Sequence, residues 1–158
     1  MSGVQTTLIA VGKLKPGYRG LCDEYLKRLR RYGSFAEREV QEAGSRENPV
    51  ERVREETRRV QAALPPRGRT VALDRGGEPW SSEQLARQVE GWMLGSSPVA
   101  LVLGGVWGLA PEFLRAARHR WSLGPLTLPH QLARVVVLEQ WYRAWTILRG
   151  EPYHHGER

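Results

Sequence analysis

A short apolar run leads directly into a glycine-rich loop in the second half of the chain: Val99-Ala100-Leu101-Val102-Leu103-Gly104-Gly105-Val106-Trp107-Gly108. Five consecutive apolar residues before a turn are typical of a strand that is covered on both faces, as in a parallel sheet. The glycines allow the backbone to turn sharply and to come close to a ligand where the strand ends. The segment therefore predicts a buried strand with a candidate binding loop at its carboxyl end.

Strand and helix patterns alternate along the rest of the chain. Further strands are predicted over residues 7–11, 34–40 and 70–74, and residues 121–128 are either a strand or a loop. Helical patterns begin near Pro16, Asn48-Pro49, the capping-box sequence at residues 81–84, Pro111 and His130. Strands that alternate with helices form βαβ units. The predicted fold class is therefore α/β, a mostly parallel sheet flanked by helices, in one domain that spans residues 1–158.

The turns and helix faces are predicted from local spacing. Residues 75–78 are expected to form a turn after the strand at 70–74. In the first helix Leu21, Tyr25, Leu29 and Tyr32 recur at intervals of three or four residues and predict one buried face, with Gly33 as the C-terminal cap. The last helix, residues 130–148, is apolar on nearly every side. It is therefore expected to cover the sheet with one face and to meet a second subunit with another.

Composition limits the classes of function. Of the 158 residues, 41% are hydrophobic and 26% are charged, which is ordinary for a folded globular protein. The formal net charge of +7 favours a polyanionic partner such as nucleic acid. A single cysteine, Cys22, excludes an intrachain disulfide and any cysteine-based zinc site. No signal-peptide pattern and no run of 18 apolar residues is present, so a cytoplasmic protein with no membrane span is expected.

Ligands of open α/β sheets bind outside the carboxyl ends of the strands. Three glycine-containing loops are predicted there, at residues 74–77, 104–108 and 122–128. None of them carries the dinucleotide fingerprint, and a phosphate-binding P-loop is excluded because no lysine follows Lys27. The four histidines include no helical pair for a metal, so no metal is expected. Each loop could bind a ligand, or could need glycine only for the geometry of a turn.

Several of these segments resemble the ribosomal RNA large subunit methyltransferase H family. The resemblance rests on residues 104–109, on Leu126-Thr127-Leu128-Pro129-His130, on residues 138–144 and on Pro152-Tyr153-His154, with residues 10–13 and 73–80 in further support. It covers essentially the whole chain. Such proteins belong to the SPOUT class, so the resemblance implies an α/β fold with a C-terminal trefoil knot, a homodimer and S-adenosylmethionine as cofactor. It also implies methylation of N3 of a pseudouridine in helix 69 of 23S rRNA, on the assembled ribosome.

The resemblance also assigns site residues. The implied cofactor contacts are Leu73, Gly104, Leu123, Gly124, Pro125, Leu126, Thr127 and Leu128. His130 is a candidate general base or contact to the uracil edge, and could instead cap the last helix. Tyr142 and Arg143 could meet base and phosphate, although Arg143 could also pair with Glu139 one turn away. Tyr153 and His154 belong to a tail that completes a composite site across the dimer in the family.

Two further questions stay open from the sequence, namely the role of Trp107 and the activity of the protein. Trp107, within the glycine loop, could stack on a nucleobase or could serve as a local hydrophobic plug. The activity could be that of a SPOUT enzyme that acts on tRNA, and the same basic dimer could also be an RNA or ribosome binder without catalysis. A mononucleotide-binding protein is disfavoured by the missing fingerprints.

Overall fold

The computed structural model describes residues 4–45 and 48–156. Within them five strands form one parallel sheet in the order β2-β1-β4-β3-β5. The strands are β1 (Thr6–Val11), β2 (Phe35–Val40), β3 (Arg69–Glu78), β4 (Val99–Leu103) and β5 (His119–Trp121). The helices are α1 (Pro16–Leu29), α2 (Pro49–Ala63), α3 (Ser82–Met93), α4 (Pro111–Ala116) and α5 (His130–Leu148). The predicted α/β class with a parallel sheet is confirmed; the knot and the single domain stay predictions.

The apolar run at residues 99–103 forms the central strand. Every residue of β4 is buried, and β4 pairs with β1 on one side and with β3 on the other. Side chains of β1 alternate between the two faces of the sheet: Leu8 packs with the helices α1, α3 and α5, whereas Ile9 packs with α2 and α4. A strand that has helices on both faces needs an apolar residue at every position, which explains the continuous run.

The helix starts follow the capping residues of the sequence. The side chain of Asn48 caps α2 by accepting a hydrogen bond of 2.9 Å from the Glu51 amide. At the start of α3 the Ser81 hydroxyl accepts from the Gln84 amide at 3.1 Å, and the Gln84 side chain accepts from the Ser81 amide at 2.8 Å. This is the predicted capping box.

The buried face of α1 differs from the prediction. Leu21 is 51% exposed, and the residues that α1 buries are Cys22, Leu26 and Leu29. One residue turns a helix by about 100°, so a stripe centred between Cys22 and Leu26 carries Leu21 away from the core. Gly33 is not the cap either, because the helix ends at Leu29 with Arg30 in the C-cap position. Leu29 and Tyr32 are buried as predicted and Tyr25 packs against the core, so the prediction was wrong for Leu21 and for the cap at Gly33.

Residues 75–78 do not form a turn. They continue β3 to Glu78, and both Leu73 and Glu78 pair with Trp121 of β5, across a register shift. A Cβ atom on Gly77 would lie 2.5 Å from the carbonyl carbon of Arg120. The glycine is therefore needed because two backbones pass closely, and a local turn signal in the sequence cannot distinguish the two situations.

The helix α5 has the predicted bounds and packs within its own chain. It contacts both α1 and α3, and Trp141 stacks on Trp92 of α3 with ring centroids 5.8 Å apart. Contacts within one chain therefore account for much of its apolar surface, and the homodimer stays a prediction. In the part of the chain that the structure describes, no helix is long and apolar enough to cross a membrane.

Candidate active site

A cleft of about 450 Å³ opens at the carboxyl ends of β3 and β4. The three predicted loops and the start of α5 line it, and its volume lies within the usual range for small-molecule sites. Seven of the eight predicted cofactor contacts line this cleft: Leu73, Gly104, Leu123, Gly124, Leu126, Thr127 and Leu128. Pro125 is exposed and is not part of the lining.

A second groove, of about 530 Å³, runs between α2 and the start of α4. Charged side chains such as Arg54, Arg58 and Glu112 form much of its lining. It touches no strand end and no glycine loop. The cleft at the carboxyl edge is therefore the better candidate, despite its smaller volume.

The loop after β4 is a tight turn that closes on itself. The Gly108 amide donates to the Gly105 carbonyl at 3.1 Å, and Gly108 has a φ of +80°. A Cβ atom on Gly104 would lie 2.6 Å from the carbonyl carbon of Gly108. Turn geometry alone therefore requires Gly104 and Gly108. The same turn places bare backbone along the cleft, so the two interpretations of these glycines are compatible.

The loop after β5 forms the opposite wall of the cleft. The buried Ser122 hydroxyl accepts a hydrogen bond of 3.1 Å from the Gly124 amide, and the Ser122 amide donates to the Glu78 carbonyl at 2.9 Å. Gly124 has a φ of +112°, which other residues rarely adopt. Leucines supply most of the apolar lining: Leu73, Leu103, Leu109, Leu114, Leu123, Leu126 and Leu128. Such a slot suits a flat heterocyclic group.

His130 lies in the cleft at the first position of α5. Its Nε2 atom is 4.0 Å from Oε1 of Glu42, just after β2. The N-cap of α5 is Pro129 and no side chain caps this helix, so His130 does not have the capping role. Gly12 leaves room for Glu42 at this position. Its φ is +92°, and a Cβ atom on Gly12 would lie 2.5 Å from the Glu42 carboxylate.

Arg134 is a site residue that sequence reasoning missed. It is only 1% exposed, and its guanidinium donates to Glu39 at 2.5 Å, to Glu37 at 3.3 Å and to the Gly12 carbonyl at 2.9 Å. It lies one turn after His130 on the same side of α5. The signal for it was an arginine within the otherwise apolar stretch at residues 132–138, together with two glutamates two residues apart on one face of β2.

The other four predicted catalytic residues form a separate cluster. The Arg143 guanidinium contacts Glu139 at 2.8 Å and His154 Nδ1 at 3.1 Å, and it lies 4.7 Å from the Tyr153 ring centroid. The Tyr142 and Tyr153 rings meet edge to face with centroids 4.7 Å apart. Thirteen residues at 1.5 Å each separate His130 from Arg143 by about 20 Å along α5. Within one chain these four residues therefore cannot work beside His130.

Hydrogen bonds fix the C-terminal tail at this cluster. The Tyr153 hydroxyl donates to Glu139 at 2.8 Å, and burial, with hydrogen bonds to Tyr25 and Glu139, raises its pKa. His154 Nδ1 accepts from Arg143, because a guanidinium can only donate, so Nε2 carries the proton given to Glu83 Oε1 at 2.8 Å. This bond lowers the pKa of the Glu83 carboxyl. Residues 153–154 are thus docked between α3 and α5.

A parallel α/β sheet with a glycine-lined cleft at its carboxyl edge is typical of proteins that bind a small-molecule ligand. Comparison with known proteins identifies the family. The family described as "Predicted SPOUT methyltransferase" matches residues 4–154. A ribosomal RNA large subunit methyltransferase H from Rubrobacter xylanophilus is 49% identical over 95% of this chain and 98% of its own. One from Pseudomonas aeruginosa is 44% identical over 93% of this chain and 97% of its own.

The fold is shared with a solved structure. A crystal structure described as "Probable Methyltransferase", from Bordetella pertussis Tohama I, covers 89% of this chain and 96% of its own at a TM-score of 0.54 and 15% identity. The chain belongs to the SPOUT methyltransferases and, within them, to the ribosomal RNA large subunit methyltransferase H family. The resemblance stated from the sequence is thereby confirmed. Among residues 4–45 and 48–156, no group of three or more His, Cys, Asp or Glu could hold a metal ion.

Proposed function

We propose that the chain transfers a methyl group from S-adenosylmethionine to N3 of a pseudouridine in helix 69 of 23S rRNA, on the assembled ribosome in the cytoplasm. One observation carries the proposal: seven of the eight cofactor residues implied by the resemblance line one cleft together with His130. The relatives named ribosomal RNA large subunit methyltransferase H, each matched over nearly its whole length, support an rRNA substrate. The net charge of +7 suits such a polyanion.

The residues of the cleft fit S-adenosylmethionine. The leucine slot between the loops after β4 and β5 suits adenine, and the turn at Gly104, where a Cβ atom would meet Gly108, leaves bare backbone beside it. Leu73, Gly104, Leu123, Gly124, Leu126, Thr127 and Leu128 would hold the cofactor. When bound, it supplies a methyl group activated by a sulfonium. The protein's part in such a transfer is mainly to position the acceptor nitrogen.

His130 removes the N3 proton of the acceptor base in this proposal. An imidazole is suited to take a proton near neutral pH, and His130 lies in the cleft at the start of a rigid helix. The Glu42 carboxylate, 4.0 Å from Nε2, stabilises the positive charge that His130 then carries. Arg134 fixes this end of α5 by its bonds to β2 and to the Gly12 carbonyl.

A homodimer completes the proposed site. Arg143 lies about 20 Å along α5 from its own His130, with Tyr153 and His154 beside it, so we propose that these three side chains serve the cleft of a second copy, while the buried Tyr142 packs against Tyr153. Hydrogen bonds from Arg143 to His154 and from Tyr153 to Glu139 hold the tail as a rigid unit that can be presented across an interface. Each copy is then one domain with a cleft that its partner completes.

Methyl transfer from labelled S-adenosylmethionine tests the proposal. The acceptors are ribosomes from a strain that lacks this methylation, free 23S rRNA and tRNA, with the label mapped by mass spectrometry. Label on the helix 69 pseudouridine of ribosomes is the expected result. Label on tRNA alone would replace the substrate. Binding of the cofactor without label on any acceptor would favour an RNA binder without catalysis.

A further inference from the structure

The mouth of the cleft carries an exposed apolar patch. Six large hydrophobic residues are well exposed in the part of the chain that the structure describes, and three of them line this cleft: Val106, Trp107 and Leu126. Trp107 is 55% exposed. A side chain that is more than half in water is not a hydrophobic plug, so the first interpretation of Trp107, as a stacking surface, is the one that its placement favours.

Positive charges flank this patch on both sides. The loops after β1 and β3 lie on either side of the loop after β4, because β1 and β3 are the two neighbours of β4 in the sheet. The first loop carries Lys13 and Lys15, and β3 carries Arg75 near its carboxyl end, where it lines the cleft. All three are exposed, and none has a salt bridge within residues 4–45 and 48–156. Two of the three lysines in the chain therefore lie on the loop next to the glycine loop.

We propose that Trp107 stacks on an unpaired nucleobase of the RNA substrate at the mouth of the cleft, while Lys13, Lys15 and Arg75 contact the adjacent phosphates. This inference rests on the proposed function and names the residues that hold its substrate. A flat ring of indole matches the face of any base, and proteins read single-stranded RNA by such stacking between basic contacts. Leu126 and Val106 extend the apolar surface beside the ring.

The charge distribution favours RNA over a two-fold contact between copies that is centred on this patch, whereas the proposed homodimer brings a different part of the partner, the Arg143 cluster, to the cleft. In a two-fold interface centred here, Lys13, Lys15 and Arg75 of both copies would face one another. Juxtaposed like charges in an interface are strongly unfavourable. A polyanion, in contrast, neutralises them and releases its own counterions.

A double-mutant cycle between protein and RNA tests the stacking. The probe is a fluorescein-labelled 20-nucleotide RNA hairpin with one pseudouridine in its loop, and the matched probe has an abasic site there. Binding to the full chain is measured by fluorescence anisotropy in the presence of S-adenosylhomocysteine. We expect Trp107→Ala to weaken binding to the intact hairpin by about tenfold to a hundredfold and binding to the abasic hairpin hardly at all.

Two further variants make the result specific. Trp107→Phe, which keeps an aromatic face, retains most of the affinity. Leu94→Ala removes an even more exposed apolar side chain at the end of α3, away from the cleft, and leaves both affinities unchanged. An equal loss on both hairpins, or no preference of the wild type for the intact one, would overturn the stacking proposal. So would dissociation of the Trp107→Ala protein into smaller particles in light scattering, because the patch would then be an interface between copies.

The proposed phosphate binding by the lysines is tested independently by measuring how RNA affinity depends on salt concentration. Replacing Lys13 and Lys15 together by Gln is expected to reduce the slope of log K against log salt by about 0.7 for each phosphate that is no longer neutralised, equally for both hairpins. An unchanged slope would overturn their part in the proposal. The outcome is separable from the fate of the proposed function, because these variants are scored by RNA binding, whereas the reaction is scored by the label on ribosomes.

Discussion

The guanidinium of Arg134 donates a hydrogen bond of 2.9 Å to the carbonyl oxygen of Gly12 and so ties α5 to the loop after β1. Arg134 follows His130 by one helical turn, so the same contact fixes the imidazole at the cleft. Glu37 and Glu39 on β2 supply the opposite charge. The candidate general base is thus held in place by a buried ionic network and not by a cap at its helix terminus.

Removal of the Arg134 charge is expected to destabilise the fold. In Arg134→Met the stem is kept, but Glu39 retains only the longer contact of 3.5 Å with Arg19, and the Gly12 carbonyl loses its donor. The expected cost is about 1–3 kcal/mol in the free energy of unfolding. Urea unfolding followed by circular dichroism measures the loss. Arg30→Met, at an exposed position at the end of α1, is the control and should unfold like the wild type. A loss below about 1 kcal/mol for Arg134→Met would contradict the structural role.

The glycine loop should tolerate no side chain at Gly104. In Gly104→Ala the new Cβ atom meets the backbone of Gly108 at 2.6 Å, so the turn must open and the cleft must change shape. We expect S-adenosylmethionine binding, measured by calorimetry, to fall at least tenfold. Gly91→Ala, on an exposed helix position with nothing within 4 Å, should bind normally and gain up to about 1 kcal/mol in stability. Unchanged cofactor affinity in Gly104→Ala would show that this loop is only a turn.

Sequence patterns predicted what depends on local physics. The continuous apolar run of β4, the Asn48 cap and the bounds of α5 all follow from residues close together in the chain, and the structure has each of them. The exposure of Leu21 could not be predicted in this way. It depends on where the stripe centred between Cys22 and Leu26 meets the sheet, which is a tertiary property.

The features of the candidate site also separate into those that local sequence predicts and those that depend on the fold. Three loops at strand ends could be placed together from the sequence, because the carboxyl ends of parallel strands meet at one edge of the sheet. Residues 75–78 were predicted as a turn because of their glycines. The structure shows that Gly77 is needed for the close approach of the Arg120 backbone, which is distant in sequence. The separation of His130 from Arg143 along α5 follows from helix geometry, whereas the assignment of both to one site came from the resemblance. The pairing of Arg134 with Glu37 and Glu39 required the fold.

His130 is expected to act in the chemical step and not in cofactor binding. We expect His130→Asn to lower kcat for methyl transfer to ribosomes by about a hundredfold or more, since general bases contribute on that order, while the Kd for S-adenosylmethionine stays within twofold. His155→Asn, at an exposed position in the tail, is the matched histidine control. A variant of His130 with normal kcat would assign proton removal to another group.

The C-terminal tail should be held less tightly when Glu83 loses its charge. The Glu83→Gln change replaces the carboxylate that accepts from His154 at 2.8 Å by a neutral amide oxygen, which is a weaker acceptor, and the lowered pKa of Glu83 reflects this hydrogen bond. Hydrogen exchange of residues 150–156 should become faster, and activity should fall if the tail completes a site in the second copy. Glu90→Gln, on the exposed side of the same helix, should leave both unchanged. Faster exchange with full activity would retain the docking contact but remove the tail from the proposed composite site.

Stability should fall in mild acid because of His119. Burial, with the nearby charges of Arg69 and Arg118, lowers the pKa of His119 below its ordinary value of 6.5, and Arg69 donates to its Nε2 atom at 3.0 Å. The folded protein therefore binds this proton less readily than the unfolded chain, so stability is complete well above pH 6.5 and falls as the pH drops through that value. Urea unfolding at pH 7.5 and 5.5 should show a smaller pH dependence for His119→Gln, which can still accept from Arg69, than for the wild type or for His155→Asn. Equal pH dependence in all three proteins would mean that His119 takes up its proton as easily in the fold as in the unfolded chain.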